Sequence, residues 1–361
     1  MRILLATDAW LPHHNGVVRT LTSLADALQR LGAEVEFLTP EGMRTIALPR
    51  APDIRIALPN PRKIAARIAA FAPDAIHIAT EGPIGLAVRA YCRRRRKPFT
   101  TSFHARLVEY VMARWSVPER LAWGWLRWFH NAGRGTMAST SSLAEELAAR
   151  GLRNLLRWPR GVDARLFRPR ANARLGLLRP IFLTVGRLAP EKNIAAFLAL
   201  DLPGTKVVVG AGPARDDLAR LCPNAVFLGA QDDQDLARIY AAADVFVFPS
   251  RTDTFGLVLL EALACGTPVA GFPLAATRDV VGHAPVALLD EDLRAACLKA
   301  VGLSREACRA FAETRSWDDS ARAFLDNIQR AGVVSSTTPI LDALKAAAAR
   351  TERKTAAPAV G

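Results

Sequence analysis

Two acids eight residues apart, Asp253 and Glu261, lie in the stretch of the chain with the densest concentration of chemistry. Ahead of them, Asp244-Val245-Phe246-Val247-Phe248-Pro249-Ser250 reads as a buried strand, and Arg251-Thr252-Asp253-Thr254-Phe255-Gly256 as a turn containing glycine. A helix from Leu257 to Ala264 follows and stops at Gly266. A strand, a glycine turn and a helix N-terminus offer unpaired backbone N–H groups and a positive dipole end to a phosphate. Phe255, Gly256, Leu257 and Val258 are therefore candidate ligand contacts. Asp253 sits in the turn and Glu261 two turns into the helix, so both can face one ligand from different depths. Carboxylates so placed are suited to accept hydrogen bonds from sugar or ribose hydroxyls. The plainer alternative makes Asp253 a helix cap and Glu261 a solvated residue. Glu261, however, is the one charge in an otherwise apolar helix, so the spacing predicts a buried, paired carboxylate.

A second constellation is Val185-Gly186-Arg187-Leu188-Ala189-Pro190-Glu191-Lys192-Asn193, between a strand and a helix. Arg187 and Lys192, five apart above a strand end, make a diphosphate clamp, one by its fork and the other as a point charge. Surface charge is the alternative. A third, Asp8-Ala9-Trp10-Leu11-Pro12-His13-His14-Asn15-Gly16, ends the first strand and opens the first helix, where Gly16 permits close backbone approach to a ligand. G-x-G-x-x-G is absent there, so a nicotinamide site lacks its fingerprint. Gly210-Ala211-Gly212-Pro213 reads as a strand-to-helix turn. His104 follows a strand and is a candidate polar partner for a reacting sugar, against a structural role. Glu81, also at a strand end, is a candidate for acceptor binding.

These residues require strands to carry them. Strands are predicted at residues 2–7, 34–39, 54–58, 74–79, 98–102 and 136–139. A second set is predicted at 181–186, 205–210, 225–228, 244–248, 268–271 and 286–289. Segments with a helical period separate them; Val17, Leu21, Leu24, Ala25, Leu28 and Leu31 share one face before Gly32. Apolar strands alternating with helices imply α/β domains with parallel sheets covered on both faces. The expected division is a first domain over residues 1–170, a second over 171–332, and a polar, Ala-rich, disordered tail over 333–361.

Of the 361 residues, 50% are apolar and 23% charged, enough to bury two cores. The net charge is +14. Residues 1–170 hold 27 Lys and Arg against 13 acids, the rest 21 against 21, so the whole excess lies in the first half. A one-sided basic half suits an anionic partner, nucleic acid or acidic lipid; an Arg- and Ala-rich base composition is the other cause. The N-terminus reads as a buried strand rather than a signal peptide, and no stretch reads as a membrane span. Five scattered cysteines without C-x-x-C fit a reducing cytosol and no cysteine-built zinc site.

The order of these motifs resembles glycosyltransferase family 4, over roughly residues 1–330. The resemblance implies the GT-B fold, two facing Rossmann-like doubly wound domains with the active site in a cleft between them, and transfer with retained anomeric configuration. It gives Arg187 and Lys192 the donor diphosphate, Glu261 the ribose, Asp253 the donor-sugar hydroxyls, His104 the neighbourhood of the reacting carbon, and Gly16 the loop under the diphosphate. The chain departs from the family's pair of glutamates by placing Asp at position 253. "NGVVRT", "SRTDTFG" and "LLEALACGTPV" look like the branch of sulfoquinovosyl-, mannosyl- and other glycolipid-forming enzymes.

For the acceptor, the informative segment is Trp115, Trp123, Trp125 and Trp128, with Phe129 next. Ser116-Val117-Pro118-Glu119 reads as a capping box heading a helix. Leu121, Trp125, Trp128 and Phe129 would share one face, leaving Trp123 with Arg120 and Arg127 on others. Tryptophan interleaved with arginine suits an interfacial element; core packing is the alternative. Arg93, Arg94, Arg95, Arg96 and Lys97 form a run that is either a solvated helix end or an anionic-membrane contact. The expectation is a peripheral enzyme on the inner face of the cell membrane. It would move a hexose or uronic acid from a UDP- or GDP-sugar to a lipid, diacylglycerol first, with no metal and no other cofactor. A soluble or polysaccharide acceptor is the alternative. A nucleic-acid-binding protein is a remote one, against which the donor motifs argue, so no nucleic acid is expected as a partner.

Overall fold

The computed structural model describes residues 1–10, 16–48, 51–104 and 117–334. The chain divides into two units, Met1–Pro159 with the segment from Asp318 onward, and Arg160–Trp317.

The first unit holds strands β1 (Arg2–Ala6), β2 (Glu34–Leu38), β3 (Thr45–Leu48), β4 (Ala51–Ala57), β5 (Ala75–Ile78), β6 (Thr100–Ser102), β7 (Gly135–Ala138) and β8 (Leu155–Arg157). Its helices are α1 (Gly16–Arg30), α2 (Pro61–Phe71), α3 (Pro83–Arg95), α4 (Glu119–His130) and α5 (Ser141–Ala149). Six strands form a parallel sheet in the order β2-β1-β5-β6-β7-β8. The short β8 carries only Leu-Leu-Arg and was not predicted. Residues 54–58, expected as a sheet strand, fall in β4, which pairs antiparallel with β3 outside the main sheet. Two residues join β3 to β4, far too few for a parallel crossover, so they must form a hairpin. Arg55 fastens it by donating to the hydroxyl and carbonyl of Thr45.

The second unit runs β9 (Ile181–Val185), α6 (Ile194–Leu198), β10 (Thr205–Val209), α7 (Arg215–Leu221), β11 (Val226–Gly229), α8 (Asp233–Ala242), β12 (Val245–Phe248), α9 (Leu257–Ala264), β13 (Val269–Gly271), α10 (Ala275–Val281), β14 (Ala287–Leu289), α11 (Leu293–Ala300) and α12 (Arg305–Glu313). Its parallel sheet has the order β11-β10-β9-β12-β13-β14. Alternate side chains of β12 enter different cores. Phe246 and Phe248 pack with Leu183, Tyr240 and Leu263, while Val245 and Val247 pack with Phe182, Phe197 and Val208. Burying each such side chain contributes about 1.5–3 kcal/mol, which explains why these strands read as continuous apolar runs.

The unit boundaries differ from those read in the sequence. Residues 160–170 belong with the second unit, where Val162 donates to the Arg315 carbonyl at 2.9 Å and Arg309 donates to the carbonyls of Ala164 and Phe167. The last described helix, α13 (Trp317–Arg330), returns to the first unit from Asp318 onward. There Ser320 receives the Trp158 indole N–H, Asn327 donates to the Arg157 carbonyl, and Asp318 pairs with Arg30. No local pattern in a sequence announces such a return. The tail expected to be disordered lies outside the described residues beyond Val334.

Candidate active site

In each sheet the chain leaves in one direction from its first strand and later resumes on that strand's other side. Ligands of open α/β sheets bind at the carboxyl ends of the strands flanking this switch point. In the second unit it falls between β9 and β12. The loop after β9 carries Arg187 and Lys192, and the loop after β12 carries Asp253. The topology thus brings together the two motifs that the sequence placed about 60 residues apart.

Three bonds lace the two loops. Lys192 Nζ donates to Asp253 Oδ1 at 2.5 Å, Asn193 Nδ2 to the Pro249 carbonyl at 3.1 Å, and Thr252 Oγ1 to the Glu191 carbonyl at 3.2 Å. Asp253 Oδ2 is buried with no hydrogen-bond partner among the described residues. Arg187 is half-buried on the same loop as Lys192. The loop is braced from below. Leu188 donates to the Ala211 carbonyl and accepts from Ala214 N–H, both at 2.9 Å. A Cβ at Gly210 would lie 1.9 Å from the Gly186 oxygen, and one at Gly212 2.3 Å from that of Leu188. The G-x-G is the strand-to-helix turn read from the sequence, and it also seats the cationic loop.

Gly256 opens α9 with φ of 79°, and a Cβ there would meet Phe248 Cζ at 2.9 Å. Gly256 as the N-cap brings no side chain of its own to this helix end, whose first N–H groups, Leu257 and Val258 among them, carry the positive end of the dipole. Phe255 packs on the core. Glu261 is only 3% exposed, and its Oε2 accepts from the Tyr240 hydroxyl at 3.2 Å. It is the buried, paired carboxylate expected. Tyr240 escaped the sequence reading, although it is one of only three tyrosines in the chain.

In the first unit the switch point lies between β1 and β5. Asp8, after β1, turns inward. Its Oδ1 accepts from Ile84 N–H at 2.8 Å, and its Oδ2 from the Thr80 hydroxyl at 2.9 Å and Gly85 N–H at 3.3 Å. It therefore caps α3. Gly82 leaves the room, since a Cβ there would sit 2.4 Å from Asp8 Cγ. Burial pushes the Asp8 carboxyl above the usual aspartate range against these bonds, and the charge of Glu81 adds to the rise. Glu81, after β5, has its Oε1 3.1 Å from His130 Nε2. The sequence reading missed His130; its signal was a lone imidazole on the inward face of an aromatic helix. His104 follows β6, half-buried, its ring edge-on to Trp158 with centroids 5.8 Å apart. Gly16 is the first residue of α1, and residues 11–15 before it lie outside the described residues. Among the described residues no three or more His, Cys, Asp or Glu converge as metal ligands.

The tryptophan helix is turned differently from expectation. α4 buries Trp123, Leu126, Phe129 and His130, and exposes Leu121 and Trp128. Trp123, expected on an outer face, packs with Phe103, Ala138, Leu143 and Leu147, and the Arg150 guanidinium covers its ring. The spacing 123, 126, 129–130 is as helical as 121, 125, 128–129, and the sheet side takes the former. Trp125 is half-buried. Pro118 is the N-cap, without a side-chain bond, and Glu119 pairs with Arg150 instead of closing a capping box; Ser116 and Trp115 lie outside the described residues. Arg93, Arg94, Arg95, Arg96 and Lys97 are all exposed, closing α3 with Arg96 left-handed at φ 53°. Cations at a helix C-terminus complement its dipole. Among the described residues no helix is long and apolar enough to cross a membrane.

The chain resembles known proteins in sequence and in fold. Residues 14–166 match the family described as Glycosyltransferase Family 4, and residues 179–303 that described as Glycosyl transferases group 1. The chain is 31% identical over 311 residues to a GDP-mannose-dependent alpha-mannosyltransferase of Mycobacterium tuberculosis, covering 78% of this chain and 81% of that one. It is 30% identical over 259 residues to a sulfoquinovosyl transferase of Arabidopsis thaliana, covering 66% and 50% respectively. In fold it resembles the sucrose-phosphate synthase structure from Thermosynechococcus elongatus, with a TM-score of 0.69 at 21% identity over 99% of this chain and 100% of that one. Two parallel-sheet α/β domains of this kind define the GT-B class. The chain belongs to glycosyltransferase family 4, and it is a glycosyltransferase that uses a nucleotide sugar.

Proposed function

We propose that this enzyme transfers a hexose or uronic acid, mannose from GDP-mannose first among them, to the hydroxyl of diacylglycerol with retention of anomeric configuration. The observation that carries the donor half is the Lys192–Asp253 contact across the switch point, with Arg187 on the loop of Lys192 and the N-terminus of α9 following the turn of Asp253. Positive charge gathered there meets the charge that grows on the departing diphosphate, which is where electrostatic stabilisation acts on rate rather than on binding alone. Lys192 exchanges Asp253 for diphosphate as the donor enters, freeing the carboxylate to accept from sugar hydroxyls. Glu261 takes the ribose, with Tyr240 fixing its other edge. His104 lies near the reacting carbon. In a retaining front-face displacement the acceptor oxygen bonds to the anomeric carbon as the phosphate oxygen leaves, and the acceptor's proton passes to that phosphate. Arg187, Lys192 and the helix end suffice for the diphosphate charge, so activity should survive chelation of divalent metal.

The acceptor half rests on charge and surface. The basic excess lies wholly in residues 1–170, and the first unit exposes Leu121 and Trp128 on α4 and the cations that end α3. Arg89 of α3 lies 3.6 Å over the Trp128 ring, joining the two helices. Such a surface suits peripheral attachment to the inner face of the cell membrane. The test is purified enzyme with GDP-mannose, UDP-glucose or UDP-sulfoquinovose and dioctanoylglycerol in anionic vesicles, the product's anomeric configuration being read by NMR. An α-linked glycolipid is expected, formed also in EDTA. Transfer to soluble hydroxyls but not to the lipid would replace the acceptor, and an inverted product would overturn retention.

A further inference from the structure

A chain of polar groups runs through the first unit with no part in the donor site. Thr101 Oγ1 donates to Thr136 Oγ1 at 3.1 Å, His130 Nδ1 lies 2.9 Å from Thr101 Oγ1, and His130 Nε2 lies 3.1 Å from Glu81 Oε1. Thr101, Thr136 and the His130 side chain are fully buried, whereas the Glu81 side chain is 11% exposed at the carboxyl end of β5. Donor and acceptor accounting fixes the proton. The single hydroxyl hydrogen of Thr101 goes to Thr136, so toward His130 its oxygen can only accept, and Nδ1 must carry hydrogen. Two arrangements remain at the other end. Either Nε2–H donates to an ionised Glu81, or a protonated Oε1 donates to Nε2. Both keep the proton between Nε2 and Oε1. Glu81 Oε2, which receives no hydrogen bond among the described residues, then shows only lone pairs.

We infer that Glu81 Oε2, oriented by His130, is the binding point for a hydroxyl of the acceptor, and that this pair selects an uncharged hydroxyl over a phosphate at that position. The inference rests on the proposal that the first unit holds the acceptor. It makes Glu81 a binding residue and His130 a positioning residue acting through it. A lone-pair edge repels an anionic group and welcomes an O–H, and a diacylglycerol presents one such group.

The test compares wild type, E81Q, H130F, H130Q and the E81Q/H130F double variant, with GDP-mannose and either dioctanoylglycerol micelles or glycerol as acceptor. E81Q should raise the acceptor KM about 10- to 100-fold, the scale of a lost hydrogen bond to a charged group, and leave the donor KM unchanged. H130F should raise the same KM. H130Q, whose amide N–H can still reach Glu81, should recover to within about threefold of wild type, and the double variant should be no worse than E81Q alone. An unchanged acceptor KM in E81Q, additive losses in the double variant, or a matching rise in donor KM would overturn the inference. E81Q carries the test by itself if H130F does not fold. Wild-type transfer to glycerol but not to dioctanoylglycerol would reject the lipid and leave the pair to be judged on glycerol. Transfer to neither would reject both.

Discussion

The two units build the same kind of switch point and spend its polar groups in opposite ways. In the second unit, the loops after β9 and β12 bind each other through half-exposed side chains, and the helix that follows opens on a glycine with no side chain to cap it. In the first unit, Asp8 turns inward as the cap of α3, and Glu81 is anchored to a buried histidine, leaving one carboxylate oxygen outward. A diphosphate needs several cationic and N–H donors at once, whereas an acceptor hydroxyl needs one oriented acceptor atom. The difference between the units follows the chemistry each is proposed to serve.

The sharpest way to break that contrast is to strip the donor side. Arg187→Ala or Lys192→Ala should each lower turnover by roughly 10²–10³, the usual cost of removing one contact that strengthens in the transition state. Both replacements are at half-exposed loop positions, so thermal stability should hold. Near-wild-type kcat in both variants would place the diphosphate elsewhere.

The arrangement of the residues proposed to hold the donor was largely legible because its signals are local. A strand, a glycine turn and a helix onset recur within a dozen residues around Asp253, and Arg187 and Lys192 share one loop. The parallel architecture was legible for a related reason, since strands buried on both faces, such as β12, are continuous apolar runs. What escaped depends on contacts between distant residues. The pairing of Glu81 with His130 spans 49 positions, and Trp158 meets Ser320 across 162. The orientation of α4 also escaped, because two overlapping helical stripes of aromatic residues compete and only packing against Phe103 and Leu143 chooses between them. The hairpin of β3 and β4 escaped, because the apolar pattern at residues 54–58 resembles that of a sheet strand.

A middle-sized effect separates surface from core on α4. If Leu121 and Trp128 meet a membrane while Trp123 is structural, replacing the two exposed residues by Ala should weaken the salt-resistant part of binding to anionic vesicles. Thermal stability should change little. Trp123→Ala should instead destabilise the protein by about 3–5 kcal/mol, as large-to-small changes in a core do. Neutralising Arg93, Arg94, Arg95, Arg96 and Lys97 together should weaken vesicle binding at low salt about tenfold or more, each cation near the surface contributing up to about 1 kcal/mol. Equal sedimentation of all variants with anionic and neutral vesicles would detach the basic half from any lipid surface.

The smallest effect tests whether Asp8 serves the scaffold. Burial raises its carboxyl in the folded state above the ordinary aspartate range, so the folded protein holds that proton more tightly than the unfolded chain does. By linkage, this favours folding at acid pH. The contribution is lost as pH rises from the ordinary aspartate range through the raised folded value, above which the carboxylate is ionised in both states. Asp8→Asn cannot ionise. It keeps one carbonyl oxygen for Ile84 N–H and gives up the carboxylate's bond to Gly85 N–H. The difference in melting temperature between Asp8→Asn and wild type should therefore move in the variant's favour as pH rises through that window. A scan by differential calorimetry across that range measures it. If the variant instead lost ground as pH rose, the ionised carboxylate would be the stabilising form. Asp8 would then resemble the charged residues of the donor side, and the contrast between the two switch points would fail at its smallest member.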